Sequence, residues 1–174
     1  MDNLKLISAI SVDGAIGKDD DLLWHIPEDL KRYKEMTMNN IVIVGLNTFL
    51  GMPIEAFKGR LAIIVCGENI NISKVSGGKT VFPVNTPSDA LELAEKIKDG
   101  NQDVYVIGGA QLYESMIDEV DEAKITWVNN LYPDANKKFP IDKLFLDFSE
   151  NDISSWVSTE EGIIYKFTEY KRIK

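Results

Sequence analysis

The sequence contains one cysteine, Cys66, and one histidine, His25. A single cysteine excludes an internal disulfide and any metal site built from several cysteines. A single histidine excludes histidine-rich zinc sites and argues against Ser-His-Asp or Cys-His catalysis. We therefore expect no metal site, and we expect His25 to lie on the surface.

Positive charge and long apolar runs are also scarce. Lys and Arg number 19 against 28 Asp and Glu, which gives a net charge of −9. Such a charge repels nucleic-acid backbones and anionic membranes. No apolar run approaches the roughly 18 residues of a membrane span, and the first residues lack the basic start and apolar block of a signal peptide. We expect a cytoplasmic protein, monomeric by default, without nucleic-acid or membrane partners.

The pattern of apolar runs predicts the fold class. The 174 residues are 44% hydrophobic and 27% charged, as in an ordinary globular chain, and we expect a single domain over residues 1–174. β-branched runs alternate with helix-like segments, which indicates an α/β fold with a mostly parallel mixed central sheet flanked by helices and an antiparallel C-terminal edge. The predicted strands are Leu4–Ile10, Ile41–Val44, Leu61–Val65, Thr80–Val84, Val104–Ile107, Lys124–Val128 and Ile163–Phe167, and the predicted helices are Pro27–Met38, Asn47–Leu50, Pro87–Lys98 and Gln111–Val120.

The first predicted helix carries a carboxylate on its apolar side. At about 100° per residue, Asp29 falls in one stripe with Leu30, Tyr33, Met36 and Thr37. The opposite, polar face is predicted to hold Glu28, Lys31, Arg32, Lys34 and Glu35. Asp29 is then either a first-turn carboxylate that balances the helix dipole, or an acid in an apolar pocket with a raised pKa. An acid of the second kind can carry a proton or anchor an amidine-like ligand edge.

Glycines follow two of the predicted buried strands at the point where a helix begins. Gly45 follows Ile41–Val44 and precedes Thr48, and Gly108-Gly109 follow Val104–Ile107. Such turns either hold the two ends of a dinucleotide or serve only as tight turns. Two further glycines, Gly14 and Gly17, follow the first strand and indicate a mobile segment over a site or an ordinary turn.

These motifs together resemble dihydrofolate reductase over essentially the whole chain. The resemblance rests on Ile7-Ser8-Ala9 with Asp13–Gly17, on Trp24–Leu30, on Gly45–Thr48, and on Val106–Gly109 with Tyr113. It implies an NADPH-dependent enzyme that reduces 7,8-dihydrofolate to tetrahydrofolate and that antifolate inhibitors would bind. Two other readings stay open: a pyrimidine reductase of riboflavin synthesis with a related fold, and a folate-binding module without activity.

The resemblance also implies roles for individual residues. Asp29 matches the acid that binds the pterin and promotes its protonation, and Trp24 matches a tryptophan that helps hold a water in the site. The implied substrate-binding residues are Ile7, Asp29, Tyr33, Phe57, Arg60 and Thr126, with Arg60 gripping the glutamate carboxylate. The implied cofactor-binding residues are Ala9, Ala15, Ile16, Gly17, Asp21, Leu22, Gly45, Asn47, Thr48, Cys66, Gly67, Ile107, Gly108, Gly109, Ala110, Gln111, Leu112 and Tyr113. Lys18–Leu23 matches a mobile loop over the nicotinamide, and Gly108-Gly109 matches a peptide bond that is cis in the family.

The chain departs from the family where the cofactor's 2′-phosphate is recognised. Leu46, Cys66-Gly67 and Gln111 occupy positions where the family offers arginine or other basic and polar residues. Lys74 or Lys79 could supply a substitute cation. We therefore expect NADPH to be used with a weak preference over NADH.

Overall fold

The computed structural model describes residues 1–18, 23–67 and 80–173 of the chain. Within them it contains strands β1 to β11 and helices α1 to α5. In chain order the elements are β1 (Leu4–Ser11), β2 (Ala15–Gly17), α1 (Pro27–Thr37), β3 (Ile41–Gly45), α2 (Leu46–Gly51), β4 (Leu61–Val65), β5 (Val81–Val84), α3 (Pro87–Ile97), β6 (Val104–Val106), α4 (Ala110–Met116), β7 (Glu122–Val128), β8 (Lys137–Lys138), α5 (Ile141–Asp147), β9 (Phe148–Asp152), β10 (Val157–Ser158) and β11 (Ile164–Arg172). Short 3₁₀ helices cover Ile54–Ala56 and Ile117–Glu119.

The central sheet is mostly parallel, as the sequence predicts. Its strand order is β10-β11-β7-β1-β6-β3-β4-β5, and β9 pairs with β11. The pairs from β7 across to β5 are parallel, whereas β11 runs antiparallel to β7, β9 and β10. The predicted α/β class with an antiparallel C-terminal side is therefore confirmed.

Both faces of the sheet are covered, which explains the wholly apolar β3. Ile41 and Ile43 belong to a core cluster with Ala90 and Ala94 of α3 and with Leu112 and Met116 of α4. Val42 and Val44 belong to a second cluster with Tyr33 of α1 and Phe49 of α2. Alternate residues of one strand therefore meet helices on opposite sides. The second cluster lies beside the candidate site.

Helix α1 begins with Pro27 at its first position, as predicted, because proline has no N–H to leave unpaired there. Tyr33 and Thr37 are buried, and Asp29 and Met36 are partly buried.

Two predictions for this helix are wrong. Leu30 is 41% exposed, and Arg32, assigned to the polar face, packs over the ring of Phe167. Arg32 lies about 60° from Asp29 around the helix axis, on the side away from Leu30, so a ring from strand β11 covers it.

Several elements lack a clear signal in the sequence. Part of the glycine-bounded segment after β1 is a strand, β2, that pairs with Lys137 and Lys138. The predicted helix Gln111–Val120 ends as an α-helix at Met116 and continues as a 3₁₀ turn. Gly162, with φ +89°, lies in the turn between β10 and β11. Among the described residues, no helix is long and apolar enough to cross a membrane.

Candidate active site

Asp29 lies in the first turn of α1 and faces the sheet. The hydroxyl of Thr126, in the middle of β7 and 1% exposed, donates to its Oδ1 at 2.5 Å. Burial raises the pKa of Asp29 above its ordinary value, and the Thr126 hydrogen bond and the charge of Arg32 act in the opposite direction. The structure thus supports the second interpretation of Asp29, an acid held in a largely apolar pocket.

Apolar and aromatic side chains from four segments lie near the face of the sheet that Asp29 contacts. Ile7 of β1, Tyr33 of α1, and Phe57 are all buried in the second core cluster. The Tyr33 hydroxyl donates to the Ala56 carbonyl at 3.0 Å, and Phe57 packs on Phe49 with ring centroids 4.7 Å apart. Trp24 packs against Tyr132, with centroids 5.4 Å apart, and near Ile26, Val128 and Tyr165. Ile7, Tyr33 and Phe57 therefore lie together in one cluster, whereas Trp24 lies in a neighbouring group with Val128 and Tyr165.

Arg60 is 3% exposed and is braced by the C-terminal half of α1. Its Nε donates to Thr37 Oγ1 at 2.9 Å, and one terminal nitrogen donates to the Lys34 carbonyl at 2.7 Å. The other terminal nitrogen donates to the Lys58 carbonyl. A guanidinium carries five N–H donors in a planar fork, so this bracing fixes the fork and leaves two N–H groups for a carboxylate.

The two glycine turns are in contact with each other. The N–H of Gly45 donates to the Gly108 carbonyl at 2.7 Å, and the Gly108-Gly109 peptide is cis. A Cβ on Gly109 would lie 2.8 Å from Thr48 Oγ1, and Gly108 has φ +112° with Tyr113 directly beside it. Only glycine meets these two conditions without displacing a neighbour. The two turns, 63 residues apart in the chain, therefore lie side by side in the fold.

Tyr113 joins the glycine turns to the strand that carries Ile7. Its hydroxyl donates to the Ile7 carbonyl at 2.7 Å, and burial raises the pKa of this phenol. The phenol is therefore neutral at physiological pH and acts as a fixed hydrogen-bond donor. The other implied cofactor residues of α4 are Leu112, which is buried, Ala110, which is partly buried, and Gln111, which is exposed.

The remaining implied cofactor residues lie at the carboxyl ends of neighbouring strands. Cys66 is 6% exposed, and burial raises the pKa of its thiol. The N–H groups of Cys66 and Gly67 pair with the carbonyls of Val84 and Asn85. Ala9, Ala15, Ile16, Gly17 and Ile107 lie in β1, in β2 and directly after β6, and Asn47 is exposed on α2. Asp21 and Leu22, most of the Lys18–Leu23 loop, and Lys74 and Lys79 lie outside the described residues.

A carboxylate missed by the sequence reasoning organises the segment after β1. Asp13 accepts hydrogen bonds from the Ser11 hydroxyl and, at 2.8 Å, from the Tyr132 N–H. The Ser11 hydroxyl also accepts from the Ala15 N–H at 2.9 Å. These bonds, the Ser11 contact above all, lower the pKa of Asp13. The Asp-Gly pair is a turn signal in the sequence, but its partner 119 residues later is visible only in the fold.

The raised pKa of Asp29 predicts an effect on stability. A carboxyl whose pKa is higher in the folded than in the unfolded state destabilises the folded state once the pH exceeds the unfolded value of about 3.9. Asp29→Asn should therefore raise the melting temperature at pH 7, by roughly 2–4 °C for each kcal/mol gained. The gain should shrink to nothing as the pH falls below the unfolded pKa. Thermal melts of both proteins across this range check it, and a lower melting temperature for Asp29→Asn at pH 7 would contradict it.

The fold and the site define an α/β domain with a shielded acid on one face of the sheet and two glycine turns in contact at the strand ends. Sequence comparison gives the family directly. The model of the family described as dihydrofolate reductase matches residues 3–172. The chain therefore belongs to the dihydrofolate reductase family.

Individual relatives agree with this assignment. A dihydrofolate reductase type 8 of Escherichia coli is 28% identical over 173 residues, which cover 99% of this chain and 97% of the relative. The dihydrofolate reductase of Bacillus subtilis is 31% identical over 163 residues, covering 91% and 84%. A dihydrofolate reductase type 9 of Escherichia coli is 33% identical over 130 residues, covering 74% and 71%.

Proposed function

We propose that this protein reduces 7,8-dihydrofolate to tetrahydrofolate with NADPH, and that Asp29 promotes protonation of the pterin. The observation that carries the proposal is the hydrogen-bonded pair of Asp29 and Thr126 on the sheet face that also holds Ile7, Tyr33 and Phe57. A shielded carboxyl among apolar and aromatic side chains suits a flat heterocycle that bears an amino group. Antifolate inhibitors of similar shape would occupy the same site.

Asp29 serves in two ways in this proposal. Its carboxylate accepts from the amino group and the ring N–H of the pterin, which fixes the ring beside the glycine turns. Because burial raises its pKa, the carboxyl also takes up a proton more readily than an exposed aspartate does, which favours protonation of the substrate's N5. The Thr126 hydroxyl keeps the carboxyl in one orientation. Trp24, packed on Tyr132, borders this part of the site and would help to hold a water there.

Arg60 and Phe57 would hold the rest of the substrate. The two N–H groups left on the braced Arg60 fork suit a bidentate bond to a glutamate carboxylate. Phe57 and the apolar residues around it suit an aminobenzoyl ring. Because Arg60 is already held by the carbonyls of Lys34 and Lys58, little side-chain freedom is lost when the carboxylate binds.

The residues of the glycine turns fit a dinucleotide. A Cβ on Gly109 would meet Thr48 Oγ1 at 2.8 Å, so bare backbone and a hydroxyl share one cleft. Gly45, Thr48, Gly108 and Gly109 would hold the pyrophosphate, and Ala9, Ile16 and Ile107 would border the nicotinamide. When bound, the reduced nicotinamide supplies the hydride that the pterin accepts.

These observations argue against the two alternative functions. A pyrimidine reductase of riboflavin synthesis does not require Asp29 and Arg60 together with Trp24, all of which are present. A folate-binding module without activity would lack the acid or the glycine turns, and both are in place. Family membership over residues 3–172 also favours the reductase.

A steady-state assay tests the proposal. The purified protein should oxidise NADPH when 7,8-dihydrofolate is present and not without it. The pyrimidine intermediate of riboflavin synthesis, offered in its place, should give no oxidation. Folded protein that consumes no cofactor with dihydrofolate between mildly acidic and neutral pH would refute the proposal.

Cofactor preference gives a separate prediction. NADPH carries a 2′-phosphate that NADH lacks, and Leu46, Cys66, Gly67 and Gln111 stand where cations would bind it. Each missing charged hydrogen bond removes about 1.5–3 kcal/mol, so two losses reduce the preference roughly 100-fold or more. We expect kcat/KM to favour NADPH by less than about a thousandfold, the scale of two such bonds. A larger ratio would show that a cation such as Lys74 or Lys79 performs this task.

A matched pair of variants tests where the 2′-phosphate of NADPH binds. Leu46 is partly buried at the start of α2, and Leu50, on the same helix, is 63% exposed. Leu46→Arg should tighten NADPH more than NADH, because its guanidinium can reach outward along a buried stem. Leu50→Arg adds the same charge elsewhere and should change both affinities alike. Equal effects of the two variants on the NADPH to NADH ratio would contradict this placement.

A further inference from the structure

Arg32 places a partly buried charge on the same helix as the active-site acid. Its guanidinium carbon lies 4.4 Å from the centroid of the Phe167 ring. Its NH1 atom is buried and has no hydrogen-bond partner among the residues that the structure describes. A buried, unpartnered cationic donor destabilises a fold. The cation–π contact with Phe167 stabilises the guanidinium, but among the described residues it leaves NH1 without a hydrogen-bond partner.

The position of Arg32 links this charge to Asp29. Residues three apart on a helix are neighbours on its surface, so Arg32 adjoins Asp29. Phe167 pairs in register with Thr126 across β11 and β7, and Thr126 donates to Asp29. The cation, the ring, the hydroxyl and the acid therefore form one cluster. We propose that Arg32 is a positioning residue whose partly buried positive charge favours the ionised form of Asp29 before substrate binds.

Arg32 also ends an alternating row of charges on the sheet face beneath α1. Lys5 Nζ lies 3.6 Å from Glu122 Oε2, Lys124 Nζ lies 3.9 Å from the same oxygen, and Lys124 Nζ lies 2.8 Å from Glu169 Oε1. The Lys124 bond above all, together with the nearby charge of Arg32, lowers the pKa of Glu169. Glu169 is thus ionised at neutral pH and attracts the positive charge of Arg32 electrostatically.

The other groups that act on Asp29 carry no positive charge. From α4 and β11, Tyr113 and Tyr165 lie within electrostatic range, and burial raises the pKa of both phenols, so they are neutral. From β7, Thr126 contributes a hydrogen bond, and on α1 itself Glu28 and Tyr33 are neighbours. The positive charge that acts on the Asp29 carboxyl, among the described residues, therefore comes from Arg32.

Three variants test this inference, which rests on the proposed function. Arg32→Met keeps a straight stem over Phe167 and removes the charge, and Arg32→Lys keeps the charge. Lys31→Met removes a charge from the exposed side of the same helix. The carboxyl carbon of Asp29 is titrated by NMR without ligand, and the single-turnover rate with dihydrofolate and NADPH is followed against pH.

Arg32→Met should move the midpoints of the NMR titration and of the rate profile to higher pH by about 1 unit, the lower end of the range for a nearby opposite charge. Arg32→Lys and Lys31→Met should leave them near the wild-type value. Unmoved midpoints in Arg32→Met would overturn the inference, as would an equal shift in Lys31→Met. If Arg32→Met does not fold, Arg32→Gln replaces it. If no protein turns over dihydrofolate, the proposed function fails, and the NMR titration still decides the role of Arg32.

Discussion

Asp29→Asn should lower the turnover number at neutral pH by roughly two orders of magnitude or more, the usual contribution of a positioned proton-transfer group. The asparagine amide can still accept from Thr126, so the site keeps its shape, but it cannot ionise or carry the proton. In acid, the substrate can take its proton from solvent, and the deficit should shrink. The turnover number of both proteins, measured from neutral to mildly acidic pH, checks both statements.

The chain supplies a matched control for this variant. Glu28 precedes Asp29 in the same first turn of α1, but it is exposed. Glu28→Gln removes the same charge from the same helix end and should leave turnover close to the wild-type value. Equal losses in the two variants, or near wild-type rates for Asp29→Asn at pH 7, would show that Asp29 is only a helix-start carboxylate.

Arg60→Leu should raise the KM for dihydrofolate with little change in the turnover number. The glutamate tail lies far from the reacting carbon, so its loss weakens binding equally in the ground and transition states. A charge-assisted bidentate pair is worth about 1.5–3 kcal/mol, which corresponds to roughly 10–150-fold in affinity. Steady-state kinetics with varied dihydrofolate measures the effect, and a fall in turnover with unchanged KM would contradict the role.

The bracing of Arg60 requires a second variant. Its loss also removes the partners of Thr37 and of the Lys34 carbonyl, so Arg60→Leu should lower the melting temperature as well. Arg60→Lys keeps the charge but lacks the planar fork. It should bind dihydrofolate more weakly than wild type and more tightly than Arg60→Leu. A substrate without the glutamate tail should bind wild type and both variants alike.

The strands and the main helices could be predicted because their signals are local. Apolar runs such as Leu61–Val65 coincide with a strand, and Pro27 marks the start of α1. The order of the strands could not be read from such runs. That β6 lies between β1 and β3 depends on pairings between residues far apart in the chain. The alternation of apolar runs and helix-like segments predicted the α/β class and the antiparallel C-terminal edge, but not the order of the strands within the sheet.

Within the site, the sequence pattern predicted the acid and the glycine turns, but it did not predict the contacts that these residues make. The stripe on α1 placed Asp29 toward the apolar side, as found. The same projection assigned Arg32 to the polar face, because it contains no information about Phe167, which is 135 residues away. Likewise, Gly45 pairs with Gly108 only once β3 lies beside β6, and Asp13 pairs with Tyr132 only once β1 lies beside β7.

The central claim is that this site moves a hydride into the pterin and a solvent-derived proton onto N5. The most direct measurement uses NADPH that carries deuterium on the transferred position of the nicotinamide, with 7,8-dihydrofolate in ordinary water. The account predicts tetrahydrofolate with one deuterium bound to carbon beside N5, formed in step with cofactor oxidation. Cofactor oxidation without tetrahydrofolate, or tetrahydrofolate without deuterium, would contradict it.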